Sequence, residues 1–406
     1  MKTFGLPLLL ALILLAPACE KFQPSRYYRG LLLDDTSSDN TPPAEEPCAD
    51  TNVYVSAVLV PESYDWRRDT ACGAVKCEIA LYLNNEMLFS TDAGPGTFIG
   101  ANPSTHHIID GHLYTEYASD METIISMDGT VMFRYPEPEV LSGMIVRPGE
   151  MFTIGRHKGG NGFSFRRNGE IIIRQPSGKV FGDFSDSAYG ETGALYEDEG
   201  KVCFCFKDSR SCYKVADGVM TQIRLSVSAE GVVDMRILNS DLYYIADYSR
   251  ATMIFSPQRT LYLPTAMEHS DLKITVVDGA PYLLADLLNP ARTVIRSLQH
   301  ASDETSGVSF DGNYNFVIRR GGPYFSVSGQ DGLLTLSKEG GENLYARDST
   351  FFFGRSCVVA EGEDAFLVVN PKERECVPFV WHDGKESFFG ISGFLTGIAV
   401  SVSPPS

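Results

Sequence analysis

Ser126-Met127-Asp128-Gly129-Thr130-Val131-Met132-Phe133 is a pair of short strand-forming runs joined by a two-residue turn, and the pattern returns along the whole chain. Asp-Gly supplies the positive φ angles of a type I′ hairpin, and β-branched and aromatic residues on either side favour pleated strands. Comparable turns stand at Asn84-Asn85, Asn168-Gly169, Asp217-Gly218, about Pro257, about Ser297, at Glu339-Gly340 and at Asp383-Gly384. Their spacing ranges from 40 residues (Asp128 to Asn168) to 49 (Asn168 to Asp217). A second series interleaves with the first, at Asp110-Gly111, Pro148-Gly149, Glu199-Gly200, Asn239-Ser240, Asp278-Gly279, Gly321-Gly322 and Glu361-Gly362.

Two hairpins per period of roughly 40–45 residues is the signature of a β-propeller with four strands per blade. The first series contains eight turns and the second seven. The missing hairpin is supplied by the chain ends, where Thr396–Ser401 and Asn52–Val60 both read as strands without a sequence-adjacent partner. Pairing them closes a ring and removes the exposed edges that invite aggregation. The expectation is therefore an all-β propeller of eight four-stranded blades. The first blade combines 396–401, 52–60, 77–83 and 86–91. The others span 105–135, 142–175, 192–225, 233–263, 272–300, 313–346 and 355–390. The turns about Pro257 and Ser297 are poor in turn residues, and the ring has seven blades if either unit is not one. Solenoid coils are shorter than this period, and a sandwich does not repeat at so regular a spacing. Lys201–Phe206 is nearly continuous in apolar character, as a strand between neighbouring blades should be, whereas Phe163–Arg167 alternates.

The formal charge of -18 argues against nucleic acid, whose phosphates require clustered Lys and Arg. The first 18 residues read as a signal peptide: Lys2, an apolar segment from Leu6 to Leu15, and Ala16-Pro17-Ala18 before Cys19. Small residues before a Cys suit lipidation of Cys19 as the mature N-terminus, and the same residues also suit plain cleavage without a lipid. Residues 19–50 are acidic and contain Ser and Pro, a composition suited to a disordered tether. Residues 51–406 form the single propeller domain, expected as a monomer that meets a membrane through the lipid alone. With that signal, Ala18-Cys19, the polar tether and the eight-hairpin array, the chain resembles the uncharacterised propeller lipoproteins of gut-type Bacteroidota. The resemblance covers the whole chain. It implies an outer-membrane or cell-surface location, with a periplasm-facing orientation as the alternative, and no particular chemistry.

No intact catalytic or cofactor motif accompanies the fold, so no cofactor and no metal site is expected. Trp-Asp repeats, His-Glu-x-x-His, Gly-x-Ser-x-Gly and paired Cys-x-x-Cys are absent. The Gly94–Gly100 stretch lacks the spacing of a dinucleotide fingerprint and reads as a loop. His106-His107 reads as a loop or strand-start pair. Eight cysteines besides Cys19 permit disulfides in an exported chain. Cys205 and Cys212, flanking a short connection, are the favoured pair, against buried thiols acting as small hydrophobes.

In a propeller the loops between second and third strands share one face with the blade-to-blade connections, and ligands dock there. The candidate binding residues on that face are Tyr64, Asp65, Trp66, Arg67, Arg68, His107, Arg156, Asp186, Tyr189 and Arg250. An aromatic ring flanked by Arg and Asp suits stacking on a sugar and equally a protein hot spot. The alternative is that Trp66 caps the core beneath its loop. Two functions follow: a binding or scaffolding module for a protein or glycan, which is preferred, or an exported glycoside hydrolase or polysaccharide lyase. The latter would use a carboxylate pair drawn from residues such as Asp65, Asp183, Asp186 and Asp247.

Overall fold

Each stretch of about forty residues folds into its own antiparallel meander, and eight such sheets follow one another along the described chain. The computed structural model describes residues 51–67, 75–92, 106–118, 121–182, 193–248, 251–264, 269–277, 280–288, 291–298, 307–311, 316–318, 323, 325–330, 333–339, 342–351, 357–373 and 375–402. Blade 1 consists of Gly393–Val402, Thr51–Leu59, Glu78–Leu83 and Glu86–Asp92, from the axis outward. Blade 2 runs from His106–Ile109 to Thr130–Tyr135, blade 3 from Glu139–Arg147 to Glu170–Gln175, and blade 4 from Lys179-Val180 to Val219–Ile223. Blades 5, 6 and 7 run from Val232–Leu238 to Arg259–Pro264, from His269–Val277 to Gly307–Asp311, and from Phe316–Ile318 to Glu342–Arg347. Blade 8 runs from Thr350-Phe351 to Lys385–Phe388.

The ring closes through the chain ends, as the turn count requires. Thr51 pairs with Val402 and Leu59 with Gly393, which makes Gly393–Val402 the innermost strand of blade 1. Polar contacts hold this strand on both sides. The Asn370 side chain of blade 8 donates to Leu395 O at 2.9 Å and accepts from Leu395 N at 2.9 Å. Thr396 Oγ1 lies 2.9 Å from Ser56 Oγ and 3.0 Å from His106 Nδ1 of blade 2, all three residues buried. Burial and the neighbouring His107 push the His106 imidazole down to about 4, so it is neutral at ordinary pH.

The recurring turn residues have a second task besides bending the chain. Asn84, Asp128, Asn168 and Asp217 each have positive φ at the tip of a third-to-fourth-strand hairpin. Their Oδ1 atoms accept from Val53, Leu113, Met151 and Val202 N of the second strand, at 2.8–2.9 Å. Their own backbone N–H groups donate to the carbonyls of those same residues. Each outer hairpin of blades 1–4 is thus bolted to the strand two places inward, which explains why Asn or Asp is used there. At Gly169 and Gly218 the turn also approaches the preceding blade: an added Cβ would stand 2.6 Å from Phe133 and 2.5 Å from Ile172.

Three details depart from the sequence expectation. In blade 6 the outer strand is Gly307–Asp311, beyond the expected limit at 300, because Arg296 pairs with Gly307 instead of following a tight turn at Ser297. In blade 8 the turn is Gly362-Glu363, one residue later than expected, with Glu361 paired to Asp364. The innermost strands of blades 4 and 8 are each in two pieces, Lys179-Val180 with Tyr196–Asp198 and Thr350-Phe351 with Val358–Glu361. Both blades therefore begin earlier than expected. The turns expected at Asp278-Gly279 and Gly321-Gly322 lie outside the described residues, as do the signal peptide, Cys19 and the tether.

Apolar packing fills the seams between blades. Phe152 and Phe165 of blade 3 continue into Phe204 and Phe206 of blade 4 through Phe163, with ring centroids 5.0–6.1 Å apart. Between blades 8 and 1, Phe366, Val368 and Phe389 meet Val55, Phe394 and Leu395. The expected Cys205–Cys212 disulfide does not form: both are free, buried thiols. The register places Lys214 opposite Cys205 and Lys207 opposite Cys212. Burial pushes both thiols up to about 11, so they act as small core side chains and not as nucleophiles. Cys48 and Cys72 lie outside the described residues.

Candidate functional site

Antiparallel strand order gives the ring two unlike faces. One carries the tight hairpin turns, and the chain enters the domain there: Thr51 pairs with Val402, and Val53 is bonded to the Asn84 turn. The other carries the second-to-third-strand loops and the blade connections. Loops on that face touch across blade boundaries. In blade 3, Lys158 N donates to Pro138 O of the connection from blade 2 at 2.8 Å. Arg67, in the loop of blade 1, donates from Nε to Pro371 O at 3.2 Å and from Nη2 to Cys376 O at 2.7 Å in blade 8.

That last contact redefines the expected aromatic site. Trp66 is 2 % exposed and lies against Phe351 and Phe394, with centroids 5.4 and 5.0 Å away. The Arg67 guanidinium covers it at 4.4 Å from the ring centroid. Trp66 therefore caps the blade 8–blade 1 seam and offers no face to an external sugar. Tyr64 packs partly buried against the same cluster, and Asp65 is half-buried. His107 lies in the innermost strand of blade 2, paired with Tyr114, and not in a loop. Arg156 is exposed at the loop-face end of the second strand of blade 3. Arg68, Asp186, Tyr189, Arg250 and the candidate acid Asp183 lie outside the described residues. Asp247 is exposed and accepts from Thr252 Oγ1 at 2.8 Å.

Next to Arg156 the structure assembles a polar group that sequence reading missed. Glu137, Glu139 and His157 bring one donor atom each to within 4.8 Å of one another. Pro136 and Pro138 restrict the backbone of the blade 2–blade 3 connection and fix Glu137 between them. Thr123 pins the start of the next strand: its Oγ1 accepts from Glu139 N at 2.7 Å and donates to Glu139 O at 2.9 Å. The Glu139 carboxylate is 0 % exposed. Oε2 is bound by Arg166, whose guanidinium lies 4.1 Å from the Tyr135 ring centroid. Oε1 has no hydrogen-bond partner among the described residues and stands 3.8 Å from His157 Nε2. His157 Nε2 is also 2.9 Å from Ser164 Oγ. Arg174 binds Glu137, and this bond holds the Glu137 carboxyl below the usual carboxylate range. Two glycines make room: a Cβ on Gly155 would stand 2.6 Å from Glu139 Oε2, and one on Gly162 would stand 2.6 Å from His157 Nδ1.

The signal for this group was present in Arg156-His157-Lys158, which the sequence places on the loop face. Of its carboxylate partners, Glu137 belongs to the preceding connection and Glu139 opens the first strand of blade 3, opposite His157, and neither residue forms a recognisable ligand motif with it. Two further charged groups are buried between blades, Asp198 with Lys214 at 2.6 Å and Asp234 with Arg236 at 3.3 Å. Both are occupied structurally. Asp198 accepts from Asn239 N at 2.6 Å and Asp234 from Ile274 N at 2.8 Å, each tying one blade to the next.

No family model matches the sequence, and no curated protein matches it. Among solved structures the chain shows distant similarity to several. AztD from Citrobacter koseri is 10% identical, with a TM-score of 0.48 over 87% of this chain and 99% of that one. Hsv2 from Kluyveromyces lactis is 11% identical, with a TM-score of 0.36 over 78% and 94%. BBS1N, in its complex with ARL6DN, is 11% identical, with a TM-score of 0.34 over 73% and 90%.

Proposed function

We propose that the chain is an exported, lipid-anchored β-propeller at the outer membrane or cell surface that binds a protein partner or a glycan through its loop face. The reading keeps the sequence resemblance to propeller lipoproteins of gut-type Bacteroidota, with Cys19 as the lipidated residue. The observation that supports it is the polarity of the ring. The tether joins the domain at Thr51, on the face of tight turns, so the loops of the opposite face are directed away from the point of attachment. Long loops on a rigid scaffold are where binding residues concentrate. Trp66 and Arg67 hold that face in shape, and Arg156 and Lys158 supply exposed charge on it.

Two measurements test the two halves of this proposal. In cells, wild type is expected in the membrane fraction and Cys19→Ala in the soluble fraction; a membrane-bound Cys19→Ala variant overturns lipid anchoring. The mature protein is then screened on a glycan array and by pull-down. Capture is expected to fall at least tenfold in the double variant Arg156→Glu/Lys158→Glu on the loop face and to persist in Lys385→Glu on the turn face. The reverse pattern, or no capture by wild type, overturns the loop-face assignment.

A further inference from the structure

We infer that Glu137, Glu139 and His157 form a binding site on the loop face for a divalent transition-metal ion of the zinc type, where the connection from blade 2 enters blade 3. The donor set is one imidazole nitrogen and two carboxylate oxygens, a combination that suits Zn²⁺ and its neighbours in the first transition row. The group is more than a cluster of acids. Glu139 is completely buried, and its Oε1 faces His157 without a hydrogen bond of its own among the described residues. A buried carboxylate oxygen left in that state costs free energy unless something is coordinated there.

The two arginines do not occupy the donors. Arg166 holds Oε2 of Glu139 and leaves Oε1 directed at His157. Arg174 holds Oε2 of Glu137, which leaves that carboxylate its second oxygen. A carboxylate shared between a metal and a guanidinium is a usual arrangement, the guanidinium orienting the ligand from behind. Donors around a tetrahedral zinc stand about 3.3 Å apart at ordinary bond lengths. The present limit of 4.8 Å, with 3.8 Å for the Glu139–His157 pair, requires modest inward rotation of side chains and no backbone movement. His157 Nε2 would exchange its contact with Ser164 Oγ for the ion.

Three protein donors leave a fourth position for water or a donor group of a bound partner, as in open zinc sites. The ion would add to the Glu139–His157 strand pairing and the Lys158–Pro138 backbone bond in holding the blade connection to the loop of blade 3. The positive charge of the two arginines weakens the site for a cation, so binding should be reversible and removable by chelator.

The test uses the chelator-treated mature protein and inorganic metal alone, so its outcome does not depend on whether a glycan or protein partner exists. Calorimetric titration with Zn²⁺ should give one site per chain, and Co²⁺ should give the visible absorption bands of a low-coordinate N/O site. His157→Gln and Glu137→Gln, both at partly exposed positions, should each weaken Zn²⁺ binding by more than about tenfold and remove the Co²⁺ bands, by analogy with the 10–100-fold effects of even outer ligands. Lys385→Gln, on the opposite face, should leave both signals unchanged. Glu139→Gln serves as a third variant if circular dichroism confirms that it folds. No heat with Zn²⁺, or binding that survives both His157→Gln and Glu137→Gln, overturns the site.

Discussion

The seam between blades 8 and 1 is packed mainly with apolar side chains, whereas the seam between blades 2 and 3 adds a buried ion pair to its apolar cluster. At the first, Trp66, Phe351, Phe366, Phe389 and Phe394 meet through apolar surface, with Arg67 laid over the top. At the second, Glu139, Arg166, Thr123, Tyr135 and Thr153 are buried together, Tyr135 OH lying 3.2 Å from Thr153 Oγ1. Apolar surface is non-directional and tolerates small adjustments. A buried ion pair must be complete, because either charge left alone is heavily penalised. The closing seam therefore relies on apolar packing around a few neutral polar contacts, while the seam beneath the loop face places a complete ion pair where direction matters.

The largest effect separating the two seams is expected for Trp66→Ala. Removing a fully buried indole from the closing seam should cost about 4 kcal/mol, read as a fall in the urea midpoint. An unchanged midpoint would mean that the indole is not part of the core. The sequence alone expects little change there, since a Trp between charged residues reads as exposed. Arg166→Met should cost about 3 kcal/mol by leaving Glu139 without its cation. Adding Glu139→Leu should restore most of the loss, because an apolar pair can replace a buried ionic one. Failure of that rescue would show that the polar seam is held by something other than the ion pair.

The smallest effect concerns acid. His106 has a folded value of about 4 against an unfolded value near 6.5. Above 6.5 both states are neutral at this ring. As pH falls from 6.5 toward 4 the unfolded chain takes a proton that the folded chain refuses, so stability is lost through that window and the loss ends below it. Between pH 6 and 4.5 the loss is about 2 kcal/mol. His106→Asn should show a correspondingly flatter midpoint-against-pH curve than wild type, and parallel curves would remove His106 from the account.

The fold was readable wherever the turn chemistry is local. Asn84, Asp128, Asn168 and Asp217 need positive φ and bond their own hairpins, so their spacing alone locates blades 1–4. Blade 6 was misplaced at its outer edge because the third and fourth strands, Ala291–Ser297 and Gly307–Asp311, are joined by a long connection without a Gly, Pro or Asn to mark a tight turn. The site was less legible for a related reason. His157 could be placed on the loop face, and the Pro148-Gly149 hairpin sets it opposite Glu139 in the neighbouring strand, but the burial of the Glu139 carboxylate with one oxygen unpartnered depends on packing against blade 2. Trp66 was misread because burial depends on Phe351 and Phe394, nearly three hundred or more residues away along the chain.

The hydrogen bond between Ser56 and Thr396 spans 340 positions in sequence. Loop-closure entropy rises slowly with such a length, but contacts this distant are among the slowest to form. The strand Thr51–Leu59 is among the first parts of the domain to be synthesised, and its inner partner is among the last. Throughout translation the nascent domain therefore carries one unpaired strand edge that nothing later in its own sequence can cover until residue 402 has been made. Ring closure is thus also a timing constraint, and protecting that edge in the interval falls to whatever accompanies the growing chain.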